Sequence, residues 1–399
     1  MVNHSPPSHR APRSSSQKVA VKGSSFALHW SAQRSVIAVA MAAVMAGCGA
    51  APESTPTPTD ASPAAAGTST GPSAEAPAIT GLGEFPEFPD GPLPDDVAAL
   101  LQAVLDTAIE QGGFRGATAA VVVAGTGSWS GAAGVGREGN PLTPDTPLLT
   151  ASTGKTVTAA QVLRLVEEEK LGLDDPAADH LPSDIAFADT NDATIREVLG
   201  MRSGIPEPPN YIANVDNGYT VAELLNHTRQ PSFSAGSEFE YVNMNYILLG
   251  SIVEQVTERP FWEALHSGVL DRPGLDGLAY GEKSALAADG WKIEATSASL
   301  ARWGYELYGG FVLSDESLAQ MTDFPDGFYG LGTINFSSFA EYLTPAIGHG
   351  GFEPSNAVKL VAFPERGVVI AVQANANTGD GIDAVAGALK DAILRETSQ

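Results

Sequence analysis

The chain has 399 residues, 43% of them hydrophobic and 7% aromatic, enough to bury a substantial core in one large domain or two. Its 47 acidic against 22 basic residues give a formal charge of −25, which repels phosphate backbones and excludes nucleic acid as a partner. A single cysteine, Cys48, excludes an intramolecular disulfide.

Residues 1–48 hold five basic side chains (Arg10, Arg13, Lys18, Lys22, Arg34) and no acidic one. The apolar run 35–46 behind Arg34 is too short to span a bilayer comfortably and suits an export signal. Met45-Ala46-Gly47-Cys48 resembles a bacterial lipobox, with methionine where leucine is usual. The expectation is a lipoprotein signal segment over 1–48, after whose removal a lipidated Cys48 anchors the chain to the outer face of the membrane in the cell envelope. The alternative is a plain signal sequence carrying an inert thiol. Removal of 1–48 leaves 17 basic against 47 acidic residues, a formal charge of −30. Residues 49–78 contain almost no large apolar side chain; a flexible Pro/Ala/Ser/Thr-rich linker is expected over 49–85, and a single catalytic domain over 86–399.

In that domain the apolar spacing predicts an amphipathic helix over 95–111 and a hairpin from strands 118–124 and 128–135. Next comes Ser152-Thr153-Gly154-Lys155. Val157, Ala160, Leu163 and Val166 recur at helical spacing until Gly172, so a helix is expected to open at Ser152 with Lys155 on the same face one turn on. A serine at a helix N-terminus beside a desolvated lysine is a candidate acyl-transfer nucleophile with its base. Spacing alone is weak, since Ser15-Ser16-Gln17-Lys18 shares it, and an N-capping serine with a surface lysine is the plain alternative. Capping boxes at Thr194/Glu197 and Thr220/Glu223 open further helices.

Tyr241-Val242-Asn243 stands where a polar run gives way to an apolar helix starting near Asn245. A phenol can relay a proton and an amide can bind both lysine and substrate; two capping residues are the alternative. Helices follow over 261–270 and 297–308. His349-Gly350-Gly351 precedes two apolar, β-branched strands, 357–363 and 368–374, joined by Pro-Glu-Arg-Gly, and a helix over 381–395 ends the chain. The glycines would let a substrate backbone pair along a strand edge; an ordinary turn is the alternative. His266-Ser267-Gly268 follows a helix and is set aside. Gly154-Lys155-Thr156 lacks the first Walker glycine, Leu149 standing in its place, and Pro141 and Pro144 break any helix after Gly134–Gly139. Asp174-Asp175 and Glu167–Glu169 have no histidine cluster to make them metal ligands.

In order, GFRGATAAVVVAG, TPLLTASTGKTVTA, LGLDDPAADHLP, IREVLGMRSGIPE, EYVNMNYILLGSIVE, SASLARWGYEL, YGLG and GHGG resemble the penicillin-recognising serine hydrolases over about residues 92–399. These are the class C β-lactamases, D-alanyl-D-alanine carboxypeptidases, and related esterases and D-amino-acid amidases. The resemblance implies an α/β (α+β) β-lactamase/transpeptidase-like fold, an antiparallel sheet flanked by helices plus a mostly helical lobe, with the site between them. It implies Ser152 as nucleophile, Lys155 as base, Tyr241 as proton relay, and Asn243, His349, Gly350 and Gly351 as substrate-binding residues. The oxyanion hole would be the backbone N–H of Ser152 with that of Phe352. No cofactor and no metal are expected.

Three departures bear on substrate. His349-Gly350 replaces the Lys-Thr that holds the antibiotic carboxylate, Ala235 replaces a usual proline, and Phe352-Glu353-Pro354 replaces small residues, narrowing the acyl pocket and repelling anions. The function implied is an envelope serine hydrolase acting through acyl-Ser152 on D-alanyl peptide, amide or ester substrates and weakly on β-lactams. The alternative is an inactive envelope lipoprotein that binds peptidoglycan or β-lactams.

Overall fold

Period-two alternation is absent from the segments GATAAVVV, NAVKLVAF and VVIAVQA, as expected of strands covered on both faces. In the computed structural model they form β1 (Gly116–Val123), β8 (Asn356–Phe363) and β9 (Val368–Ala374), buried at every position. The structure describes residues 79–111, 114–185, 192–225, 231–275, 277–280, 284–353, 355–375 and 379–396. The expected signal segment, Cys48, the linker up to residue 78, and Pro354 lie outside these.

With β2 (Gly127–Gly134), β6 (Ile334–Asn335) and β7 (Ile347–Glu353), the three strands make an antiparallel sheet ordered β2-β1-β9-β8-β7-β6. Neighbouring side chains on β8 show how both faces are closed. Leu360 lies against Gly304 of α8 (Ser297–Tyr308), where a Cβ would stand 2.7 Å from its Cδ1. Lys359, pointing the other way, meets Asp383 of α10 (Gly379–Glu396) at 2.6 Å. Helix α1 (Asp95–Glu110) packs beside α10 on that second face. The β8–β9 connection is the expected Pro-Glu-Arg-Gly turn, closed by Gly367 at φ +59°.

The helical lobe is built on α6 (Asn243–Thr257), buried from Met244 through Val253. Helices α2 (Lys155–Glu167), α3 (Ile195–Leu199) and α7 (Phe261–His266) pack around it, and α9 (Asp315–Met321) packs against α2. Between α3 and α6 the chain adds two short helices, α4 (Tyr211–Asp216) and α5 (Val221–Leu225). Both capping boxes form: Thr194 N donates to Glu197 at 2.8 Å, and Thr220 N to Glu223 at 2.8 Å, each with the reciprocal bond. A small second sheet, β3-β5-β4, joins Leu148–Leu149, Ile293–Ala295 and Leu278–Tyr280. Among the described residues no helix is long and apolar enough to cross a membrane.

The structure departs from the sequence reading at four places. Ser152 lies in a 3-10 turn (Ala151–Gly154) that leads into α2, instead of opening the α-helix itself. Helix α6 starts at Asn243, two residues early, and α7 stops at His266. Residues 79–85 dock on the domain where a tether was expected: Phe85 is buried with its ring 4.9 Å from that of Tyr305, and Gly83 N donates to Tyr308 O. The strand edge expected at His349-Gly350-Gly351 does form: Ile347–Glu353 is one continuous strand, because β8 supplies a ladder partner that outweighs the low strand propensity of glycine.

Candidate active site

The turn holding Ser152 is pinned from three directions. Thr150 N donates to Ile293 O at 2.8 Å, and the side chains of Asn356 and Gln373, on β8 and β9, donate to Leu149 O and Leu148 O at 2.6 and 3.0 Å. Held there, Ala151 adopts φ +44°, a left-handed conformation that costs a non-glycine residue about 1 kcal/mol or more. The turn thereby places Ser152 beside Lys155, which is wholly buried.

Three neutral oxygens accept the three N–H bonds of the Lys155 ammonium: Ser152 Oγ at 3.1 Å, Asn243 Oδ1 at 2.8 Å and the backbone oxygen of Asp289 at 2.8 Å. The rings of Tyr241 and Tyr246 flank it, with centroids 5.2 and 5.6 Å from Nζ. The four residues expected to act together, Ser152, Lys155, Tyr241 and Asn243, therefore converge. Asn243 is oriented by its other end, where Nδ2 donates to Glu207 Oε1 at 2.9 Å. Glu207 also accepts from Met244 N at 3.3 Å, satisfying an orphan N–H in the first turn of α6, whose N-cap Val242 offers no side-chain acceptor. Burial raises the Glu207 carboxyl above its ordinary range, opposed by those two bonds.

Asp289 is the other member that sequence reasoning missed. Its carbonyl reaches Lys155 because Gly290 follows at φ +101°, where a Cβ would lie 1.9 Å from Ala151 O. Its carboxylate accepts from the Tyr211 hydroxyl and from Trp291 N (3.0 Å). Burial, then the Asp289 charge, pushes the Tyr211 phenol well up. Glu207 stands within IREVLGMRSGIPE, one of the segments that carried the resemblance; nothing in the local sequence marks Asp289, whose contribution is a backbone oxygen.

Strand β7 closes the opposite side. A Cβ on Gly351 would come within 2.7 Å of Ser152 N, so only glycine lets the strand lie against the nucleophile turn. β6 pairs with β7 only at Ile347 and Gly348, leaving the edge from His349 onward without a β6 partner. Gly350 would direct a side chain to Lys359 Nζ, away from the site, and Phe352 is half-buried at the strand end.

His349 is buried, with Nδ1 2.6 Å from Gly350 O and Nε2 3.3 Å from the Tyr329 hydroxyl. A carbonyl only accepts, so Nδ1 carries the proton and Nε2 accepts from Tyr329. Burial first, then the Lys155 charge, lowers its pKa to about 3, so the imidazole is neutral and both nitrogens are engaged within the protein. Tyr329, from YGLG, and Tyr241 set their rings 5.9 and 6.2 Å from His349. Among the described residues no group of three or more His, Cys, Asp or Glu is placed to hold a metal ion. Asp174 and Asp175 are spent on Arg196 and His180.

A family model described as "Beta-lactamase" matches residues 100–394. Protein flp of Staphylococcus aureus (strain N315) is 26% identical over 173 residues, covering 41% of this chain and 35% of flp, so the chain spans about a third of that relative's length. A D-stereospecific amidohydrolase from Streptomyces sp. superposes with TM-score 0.60 at 24% identity over 73% of this chain and 98% of that one. A D-amino acid amidase from Ochrobactrum anthropi SV3, complexed with L-phenylalanine, gives TM-score 0.65 at 20% identity over 76% and 100%. At these identities the two structures establish the shared fold.

Two outcomes follow from this geometry. Gly290→Ala forces a strained φ and a clash with Ala151 O, and is expected to cost about 2–5 kcal/mol in a urea unfolding titration; a loss under about 0.5 kcal/mol would contradict the placement. For His349 the folded pKa lies below the unfolded value of 6.5, so its stabilising contribution is full above pH 6.5 and is lost as pH falls toward about 3. Between those values wild type should lose about 1.4 kcal/mol per pH unit more than His349→Gln, and parallel pH–stability curves would refute a buried neutral imidazole.

Proposed function

The chain belongs to the β-lactamase family, and on that premise we propose that it is a serine hydrolase cleaving amide or ester bonds through an acyl-Ser152 intermediate. The observation that carries this is the 3.1 Å contact between a wholly buried Lys155 Nζ and Ser152 Oγ. A buried lysine whose bonds converge on a serine at a helix-entry turn is the arrangement a nucleophile with its base requires.

In the reactive state a neutral Lys155 takes the Ser152 proton as Oγ attacks the substrate carbonyl carbon. The carbonyl electrons move to oxygen, and the resulting oxyanion is held by the backbone N–H of Ser152 and that of Phe352, across the gap that Gly351 keeps narrow. Tyr241, beside Lys155, relays the proton to the leaving amine or alkoxide as the carbon–heteroatom bond breaks. Water then attacks the acyl-enzyme, giving its proton back through Lys155 and Tyr241 and releasing the acid with Ser152 restored. Asn243, held by Glu207, keeps Lys155 in place and has one amide hydrogen left for the substrate. The amidohydrolase and amidase named above support amides as one substrate class; D-alanyl wall peptides and small esters remain within the same chemistry.

Recognition of a β-lactam carboxylate has little to draw on. His349 is uncharged, its single N–H is committed to Gly350 O, and Gly350 has no hydroxyl. We also propose export and lipid anchoring through Cys48, supported by the basic start, the apolar run 35–46 and Met45-Ala46-Gly47-Cys48.

The full-length protein is expected to hydrolyse a small activated ester such as p-nitrophenyl acetate and to hydrolyse a chromogenic cephalosporin at least about a hundredfold less efficiently, a gap of about 2.7 kcal/mol in transition-state stabilisation. Ser152→Ala, checked for an unchanged circular dichroism spectrum, should retain less than about a thousandth of the ester activity. Equal turnover by that variant would end the acyl-serine reading. Cys48→Ala is expected to move the protein from the membrane fraction of a bacterial host to the soluble exported fraction, and continued sedimentation with membranes would place the anchor elsewhere.

A further inference from the structure

Glu353 is the last residue of β7, and its side chain leaves the strand on the face shared with His349 and Gly351. That face is the one against the nucleophile turn, since a Cβ at Gly351 would be 2.7 Å from Ser152 N. Two residues further along, about 7 Å, Glu353 stands beside the acyl site. Its side chain is 7% exposed, yet Oε1 has no hydrogen-bond partner among the described residues. A buried carboxylate oxygen without a donor costs on the order of 1–3 kcal/mol, and the hydrogen-bonded carboxylates of Glu207 and Asp289 nearby show that the fold can satisfy such groups. Lys155, a buried cation whose charge acts on Glu353, has all three N–H bonds committed elsewhere.

We propose that Glu353 is the recognition group for a protonated amine on the substrate, so that the preferred substrates are amides or esters of amino acids or peptides with a free amino group close to the scissile carbonyl. The inference rests on the acyl-Ser152 reading and assigns its substrate class. The donor a carboxylate oxygen lacks is what an ammonium supplies, and the surrounding field favours a cation over a neutral N–H donor. The charged and titratable groups that act on Glu353 are Asp289 and Asp216, which add negative charge, Lys155 and Arg137, which oppose it, and the neutral Tyr211. Burial first, then Asp289, pushes the Glu353 carboxyl up to about 7. An ammonium at Oε1 would hold it ionised, so amine selectivity should grow as pH rises from 5 to 7, below the range of about 7.7–8.0 in which an α-amino group loses its charge. His349, neutral and fully bonded, offers nothing to a substrate carboxylate on the same face, which agrees with selection for the opposite charge.

The test compares full-length wild type with Glu353→Gln, near-isosteric and checked by thermal melting, on phenylalanine p-nitroanilide (each enantiomer) and on 3-phenylpropionyl p-nitroanilide, which lacks only the amine. For wild type, kcat/KM should favour the amine-bearing anilide by at least tenfold at pH 7, chiefly through KM, and the ratio should rise between pH 5 and 7. For Glu353→Gln the ratio should fall to within about twofold of unity and lose its pH dependence. A ratio unchanged by the substitution, or near unity in wild type, overturns the assignment. Binding of phenylalaninamide to Ser152→Ala and to Ser152→Ala/Glu353→Gln by calorimetry separates the two readings. An affinity at least tenfold weaker in the double variant, with no ester turnover by wild type, would refute the hydrolase and leave the amine site standing; equal affinities with Ser152-dependent turnover would do the reverse.

Discussion

A lysine ammonium buried out of reach of water must find an acceptor for each of its three N–H bonds, and the architecture around Lys155 follows from that demand. The acceptors come from positions 3, 88 and 134 residues away: the turn before α2, the first residue of α6, and the loop before β5. None is a carboxylate, so the cation is held by dipoles in a place where leaving one N–H unpaired costs kilocalories. The Ser152–Lys155 geometry is therefore a property of the closed helical lobe, and Glu207 and Tyr211 act through it by fixing Asn243 and the Asp289 loop.

The second constraint is steric. β7 runs directly against the serine turn, and a side chain at position 351 would hold it off. Gly351 and Gly290 both approach the turn closely, one against Ser152 N and the other against Ala151 O, and Ala151 between these contacts holds a strained φ. The strand then distributes its other side chains by alternation: His349 and Glu353 toward the site, Gly350 toward Lys359 and the Asp383 pair behind the sheet. Charge follows the same division. A neutral imidazole and a carboxyl lie on the face of β7 toward Ser152, while the cation of β8 is turned to the far side and spent on α10.

Much of this was legible in the chain itself. The helical period after Ser152, the two capping boxes, the β8–β9 turn and the convergence of Ser152, Lys155, Tyr241 and Asn243 are all local patterns or ordered segments, and each appears where the sequence placed it. Local signals fail where the deciding partner is distant. Residues 79–85 look like a tether until Phe85 meets Tyr305. Glu207 is an ordinary acid in a loop; only the fold turns it into the acceptor for Asn243 and Met244.

The sequence by itself determined the strands and helices with strong periodicity, the one-turn spacing of Ser152 and Lys155, and the absence of the cation that a third motif of Lys-Thr-Gly would carry. Those follow from residue type and short-range spacing, which the chain states directly. The tertiary structure alone decided that Lys155 is buried with three neutral acceptors, that His349 is a neutral donor to Gly350 O, and that Glu353 Oε1 lies on the Ser152 face of β7 with no partner among the described residues. Protonation and hydrogen-bond state depend on burial and on groups far away in the chain, and those quantities exist only once the lobes have closed.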